Sequence, residues 1–125
     1  MKRALDGSSM SFDPNEVTKC PLVQFAWDEL RREGRTTLGD LSDRVGLSLR
    51  RLEQVFRNTF DLSPKQVQSL FRYERATAFL RDGNTNLVET ALLAGYSDQS
   101  HMTREFRRFA AVTPATMRAA LRIAE

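Results

Sequence analysis

Hydrophobic residues recur along most of this chain at gaps of three and four, the spacing that gathers them on one face of an α-helix. Between residues 18 and 33, Val23, Ala26, Trp27 and Leu30 fall at i, i+3, i+4 and i+7. This predicts a leading helix, in which Pro21 is tolerated only at the first turn. From Pro64 to about Arg81, the residues Val67, Leu70, Tyr73, Ala76 and Leu80 make another stripe. They predict one long helix of roughly 27 Å, at 1.5 Å per residue. Residues 1–17 have no such period and read as a flexible tail or linker remnant. Alternation with period two, bounded by hairpin turns, is absent. The pattern predicts an all-α protein.

Helix starts and stops support the same division. Ser63-Pro64-Lys65-Gln66 places a capping serine before proline, with glutamine at the third helical position, and Thr113-Pro114 repeats the first half of that signal. Thr37-Leu38-Gly39-Asp40 and Asn86-Leu87-Val88-Glu89 are further caps. Gly46 and Gly95 each close a short periodic segment, where a left-handed residue ends a helix at no steric cost to glycine.

One pattern is written twice. In "LGDLSDRVGLSLRRLEQVFRNTFDLSP" (38–64) and "LVETALLAGYSDQSHMTREFRRFAAVTP" (87–114), Leu38 matches Leu87, Ser42 matches Ala91, Val45 matches Ala94 and Gly46 matches Gly95. Leu47 then pairs with Tyr96 and Ser48 with Ser97; after a one-residue insertion Leu52 pairs with Met102, Phe56 with Phe106 and Pro64 with Pro114. Each copy has the physics of a helix-turn-helix. A short helix buries leucine and valine or alanine, a small residue four before the glycine lets helices approach, and the second helix buries an i, i+4 pair. Its other face is left polar: Arg50, Arg51, Glu53, Gln54 and Arg57 in the first copy, and Gln99, Ser100, His101, Thr103, Arg104 and Arg107 in the second. The predicted architecture is two helix-turn-helix subdomains joined by a long linker helix, with units at about 37–58 and 86–109 and the linker at about 64–81.

Composition narrows the chemistry. The hydrophobic fraction is 41%, enough for a packed core, and no apolar run is long enough for a membrane span. With no signal-peptide pattern either, the expected location is the cytoplasm. Cys20 is the one cysteine and His101 the one histidine, so neither a disulfide nor a structural metal site is expected. The net charge is +3, and of the 19 basic residues only Lys2, Lys19 and Lys65 are lysine. Arginine's planar fork suits phosphate and guanine edges. Catalysis by His101 is not expected, because no nucleophile or carboxylate is spaced to orient it; Asp98 is better placed as a helix N-cap or first-turn acid. Trp27 and the phenylalanines are expected in the core.

Together these residues resemble the DNA-binding domain of the AraC/XylS family of bacterial transcription regulators, over about residues 18–122. The most specific part is "AGYSDQSHMTREFRRFAAVTPATMR"; "FRYERATAFL" (71–80) resembles the family's linker helix, with Arg72 and Ala76 at the family's places. The resemblance implies two recognition helices in successive major grooves of double-stranded DNA, and no cofactor. Carried over residue by residue, it implies base contacts from Arg50 and Gln54, with Arg51 and Glu53 beside them, and from Gln99, Ser100, His101, Thr103 and Arg104. Thr37, Arg57, Asn86 and Arg107 are the implied phosphate contacts. Glu53 cuts the other way, since an acid facing phosphate costs affinity unless it accepts from cytosine. The family often has arginine at Gln54, an aromatic residue at Met102 and glycine at Asp61 and Ala111. An alanine held at positive φ at position 111 is strained by on the order of 1 kcal/mol.

The expected protein is therefore a non-catalytic DNA reader that acts as a monomer at the bacterial nucleoid and activates transcription by touching RNA polymerase. It is either a short regulator or part of a longer one. The rival expectation is a helical protein-interaction module that turns its arginine faces to an acidic partner.

Overall fold

The computed structural model describes residues 21–32 and 35–124. The predicted tail, Cys20 and the outer residues of the predicted leading helix (18–20 and 33) lie outside the described residues. Every regular element among the described residues is a helix: α1 (Pro21–Arg32), α2 (Leu38–Val45), α3 (Leu49–Phe60), α4 (Pro64–Asp82), α5 (Leu87–Ala94), α6 (Gln99–Ala110) and α7 (Pro114–Ala124).

The repeat is visible cap by cap. Thr37 Oγ1 accepts the Asp40 amide at 3.0 Å to open α2, and Gly46 closes it at φ 74°. In the second copy Asn86 and Glu89 form a complete capping box at α5, and Gly95 closes it at φ 104°. Ser48 caps α3 by accepting the Arg51 amide at 3.1 Å, whereas α6 is capped by Asp98, whose carboxylate accepts the His101 amide at 2.7 Å. The structural partner of Ser48 is thus Asp98, not Ser97 as sequence matching had it. The inserted residue lies in the second turn, before the cap, because the capping function fixes the register.

Both α3 and α6 end in left-handed non-glycine residues, Asp61 at φ 60° and Ala111 at φ 61°. Aspartate tolerates this region by local hydrogen bonding, but alanine carries the steric penalty of about 1 kcal/mol. Next, Ser63 and Gln66 cap α4 reciprocally at 3.1 and 2.8 Å, and Thr113 caps α7.

The chain divides into two compact units, one holding α1–α3 and the first turn of α4, the other the rest of α4 with α5–α7. The first unit buries Val23, Ala26, Leu30, Leu41, Val45, Leu52, Phe56 and Val67. Phe60 adds ring contacts there, 4.4 Å from Trp27 and 5.2 Å from Phe56 between centroids. In the second unit Ala76, Leu80, Ala91, Ala94, Tyr96, Met102 and Phe106 form the core, flanked by Tyr73, Leu87, Met117 and Leu121. Met102 is fully buried, so the substitution for the family's aromatic residue is a packing one.

Several predicted positions differ. Of the phenylalanines expected in the core, Phe25 is 42% and Phe109 38% exposed, and Trp27 is partly buried. Leu38 is only partly buried. Leu70, expected on the buried stripe of α4, is 41% exposed, while Gln68, Ser69 and Arg72 are buried. The stripe runs through 69, 72, 76 and 80, and two of its members are polar, so a search for apolar residues draws it through the neighbouring leucine.

Candidate nucleic-acid interface

On α3 the hydrophobic pair Leu52 and Phe56 faces the core, and Arg50, Glu53, Gln54 and Arg57 are exposed at i, i+3, i+4 and i+7. On α6, Met102 and Phe106 play the core role, and Ser100, Thr103, Arg104 and Arg107 take the same four positions. Each helix therefore presents one polar stripe along its length, opposite its anchor. All of Arg50, Arg51, Glu53, Gln54, Arg57, Ser100, Arg104 and Arg107 are exposed, whereas Gln99, His101 and Thr103 are partly covered. Leu49 opens α3 and is 54% exposed, an apolar neighbour of this stripe that a search for polar readers passes over.

Side chains on the two stripes are held differently. On α3, Arg57 Nε donates to Glu53 Oε2 at 3.0 Å and Arg51 Nη1 donates to Gln54 Oε1 at 3.3 Å. These pairs are at i, i+4 and i, i+3 spacing on an exposed surface, where each contributes a few tenths of a kcal/mol. On α6, neither the Arg104 nor the Arg107 side chain makes a hydrogen bond or ion pair with the described residues.

Instead, α6 is tied to its own unit through Glu105, which is 4% exposed. Ser69 Oγ of α4 donates to Glu105 Oε2 at 3.1 Å, and the Nη2 atoms of Arg72 and Arg108 each lie 3.6 Å from that oxygen. Arg72 Nη2 also donates to Ser69 Oγ at 3.2 Å and its guanidinium lies 5.7 Å from the centre of the Tyr96 ring. Burial, and after it the Glu105 carboxylate, pushes the Tyr96 hydroxyl well above its ordinary titration range. A buried carboxylate is maintained only when paired. This network is hard to see in the sequence, because nothing in the spacing of Glu105 marks it as buried. The one hint was Arg72, at a conspicuous place in the linker helix.

The first unit has a buried carboxylate too, but on its supporting helix. Glu29 of α1 is 5% exposed and accepts from Arg44 of α2 at 2.6 Å, with Arg32 as a second partner.

The implied phosphate contacts divide in the same way. Arg57 and Arg107 occupy the last exposed position of each stripe. At the helix starts, the α2 cap leaves the Leu38 and Gly39 amides without an intrahelical partner. At α5 the box already satisfies Asn86 and Glu89, whose amides pair at 3.0 and 2.8 Å, so the open donors are those of Leu87 and Val88. Among the described residues no group of three or more metal-ligating side chains occurs, and no helix is long and apolar enough to cross a membrane.

Two copies of helix, tight turn and second helix, each with its polar stripe turned outward, define a double helix-turn-helix module. The helix-turn-helix domain family matches residues 41–120. The chain is 30% identical over 106 residues to the HTH-type transcriptional regulator CdhR of Pseudomonas aeruginosa, a match that covers 84% of this chain and 32% of that regulator. Over 81 residues it is 30% identical to the virulence regulon transcriptional activator VirF of Yersinia enterocolitica, covering 65% of this chain and 30% of VirF. Among solved structures, the DNA-binding domain of the global transcriptional factor AdpA, in complex with a target DNA, superposes with a TM-score of 0.73 at 25% identity, covering 84% of this chain and 93% of that one. The C-terminal domain of AraT, a response regulator from Geobacillus stearothermophilus, shares the fold with a TM-score of 0.77 at 20% identity, covering 81% of this chain and 86% of that one. The chain belongs to the AraC/XylS family of helix-turn-helix transcription regulators. It spans about a third of the length of the curated relatives it matches.

Proposed function

We propose that the chain reads double-stranded DNA by sequence, with α3 and α6 in successive major grooves. One monomer then takes an asymmetric site of roughly two helical turns, because the two units repeat in the same chain direction. A single observation carries this reading: the same four-position polar stripe lies outward on the second helix of both repeats. In the first unit Arg50 and Gln54 face bases, with Arg51 and Glu53 at their side and Leu49 available to a thymine methyl group. In the second, Gln99, Ser100, Thr103 and Arg104 face bases. Arg57, Arg107 and the amide ends beside Thr37 and Asn86 take phosphate and set the register.

The proposal extends to regulation. The chain acts without a catalytic step, as a monomer in the bacterial cytoplasm at the nucleoid, and activates transcription through RNA polymerase. Its relatives' names, which include transcriptional activators, support that part.

Selection from a random duplex pool, followed by titration of the winning site across salt concentrations, tests the reading. Two blocks of preferred bases about one helical turn apart and a steep salt slope are the expected result. A folded protein that enriches no sequence at low salt overturns it and favours an acidic protein partner for the arginine faces.

A further inference from the structure

His101 stands one residue off the reading stripe of α6. The stripe is 100, 103, 104 and 107, while 101 and 105 form the adjacent i, i+4 row that turns into the unit. The two ring nitrogens of His101 both face groups of the protein: Nδ1 is hydrogen-bonded, and Nε2 lies near a buried carboxylate without a hydrogen bond to it. The Ser97 amide donates to Nδ1 at 3.2 Å, and Ser97 Oγ lies 3.2 Å from the same atom. On the far side of the ring, Nε2 is 3.7 Å from Oε2 of buried Glu105. The ring packs edge-to-face with that of buried Tyr96, with centroids 5.1 Å apart and planes at 86°. A nitrogen that accepts from a backbone amide carries no proton, so the hydrogen of a neutral imidazole sits on Nε2, toward the carboxylate.

Ser97 is the extra residue of the second turn, the one with no counterpart before Ser48 in the first copy. Adding a residue to a tight turn leaves one more amide to satisfy, and His101 is the group that satisfies it. In the first copy the matching position is Arg51, whose side chain donates along the surface to Gln54.

We propose that His101 is a positioning residue: it locks the lengthened turn to the first turn of α6 through Nδ1, with Nε2 turned to the buried Glu105 carboxylate, and so aims Ser100, Thr103 and Arg104 at DNA without itself reading a base. This rests on the DNA-reading proposal above and gives a different role to His101, one of the base contacts that the family resemblance implies. The groups that face the imidazole are Glu105 of its own helix, Tyr96 and Ser97 of the turn and, through the shared carboxylate oxygen, Arg72 of α4 and Arg108 of α6.

The test uses His101→Ala, His101→Asn and His101→Gln in the full chain, on duplexes that carry every single-base change in the site selected by the wild type. Loss of one well-made hydrogen bond in the support lowers affinity by about tenfold. For His101→Ala that loss is expected at the α6 block as a whole, with the preferred base unchanged at every position. Asparagine puts its carbonyl oxygen near Nδ1 and is expected to recover most of the affinity. Glutamine puts its amide nearer Nε2 and is expected not to. Loss confined to one base pair, with rescue by glutamine and not asparagine, overturns the proposal and makes His101 a direct reader.

If His101→Ala does not fold, the comparison of the two amide variants decides alone. Long-range nitrogen spectra of the free wild-type protein add an independent reading. They should show Nδ1 unprotonated and hydrogen-bonded; the opposite tautomer contradicts the lock. Failure of the wild type to select any site is failure of the DNA-reading proposal, and it is seen before any variant is compared.

Discussion

On α3 the charged side chains partner one another across the helix surface, whereas on α6 the charge is tied down beneath the helix and the outward arginines are left open. The two helices share their length, anchors, caps and left-handed ends, so the difference lies in a few side chains. Val55 occupies the position on α3 that Glu105 occupies on α6, and it needs no partner. Glu105 has four polar neighbours, Ser69 and Arg72 from α4 and His101 and Arg108 from its own helix. Orientation is thus held by packing alone in α3, and by packing with a buried polar network in α6. Such networks are costly when half-satisfied and specific when complete.

The sharpest way to break the comparison is to remove Arg72. Arg72→Ala removes the buried one of the two arginines beside Glu105 and leaves only Arg108, whose side chain is 70% exposed; it is expected to destabilise the second unit by about 3 kcal/mol, the scale for breaking a buried pair. Denaturant unfolding followed by amide exchange checks it. Arg44→Ala in the first unit is expected to cost much less, since its side chain is 54% exposed and Glu29 keeps Arg32. Equal losses would mean that the network on α6 has no special weight.

Next in size is the effect of the readers. Arg104→Ala is expected to weaken the selected site by about 1–3 kcal/mol and to relax preference at one base pair, whereas Arg107→Ala weakens all sequences alike and lowers the salt slope by about one. Binding titrations at several salt concentrations separate the two. If both variants behave alike, the stripe on α6 grips and does not read.

Ala111→Gly is expected to stabilise the second unit by about 1 kcal/mol by relieving the left-handed alanine. Asp61→Gly is expected to gain less, because aspartate already tolerates that conformation. Thermal melts of the two variants sharpen the contrast between the otherwise matched helix ends.

The smallest expected effect is at Glu53. Glu53→Gln releases Arg57 from its surface pair and should raise non-specific DNA affinity by about two- to threefold, the scale of one exposed helix pair. A titration on random-sequence duplex reads it directly. No change would mean that Arg57 meets phosphate without leaving Glu53.

Much of this molecule is legible in its residues. The duplicated spacing of Leu52 and Phe56 against Met102 and Phe106 leads to both recognition helices, and the threonine, serine and asparagine caps mark their neighbours. What sequence reading misses has a common cause. Ser69 and Arg72 lie on a buried stripe that is not apolar, and Glu105 is buried by groups more than thirty residues away. A pattern of hydrophobic positions cannot register polar groups that are buried because they satisfy one another. The register of the second turn is missed for a related reason. Ser48 and Ser97 are the same residue type, yet Asp98 makes the capping bond.

The lengthened second turn sets a rule for anyone who wishes to redirect this protein to a new target. A graft of the four outward residues of α6 onto α3 carries the letters of the recognition surface without the brace that sets its angle. The transferable cassette runs from Tyr96 to Arg108, and it needs Ser69 and Arg72 waiting in the recipient. The two reading heads are therefore copies by descent of pattern but not interchangeable parts.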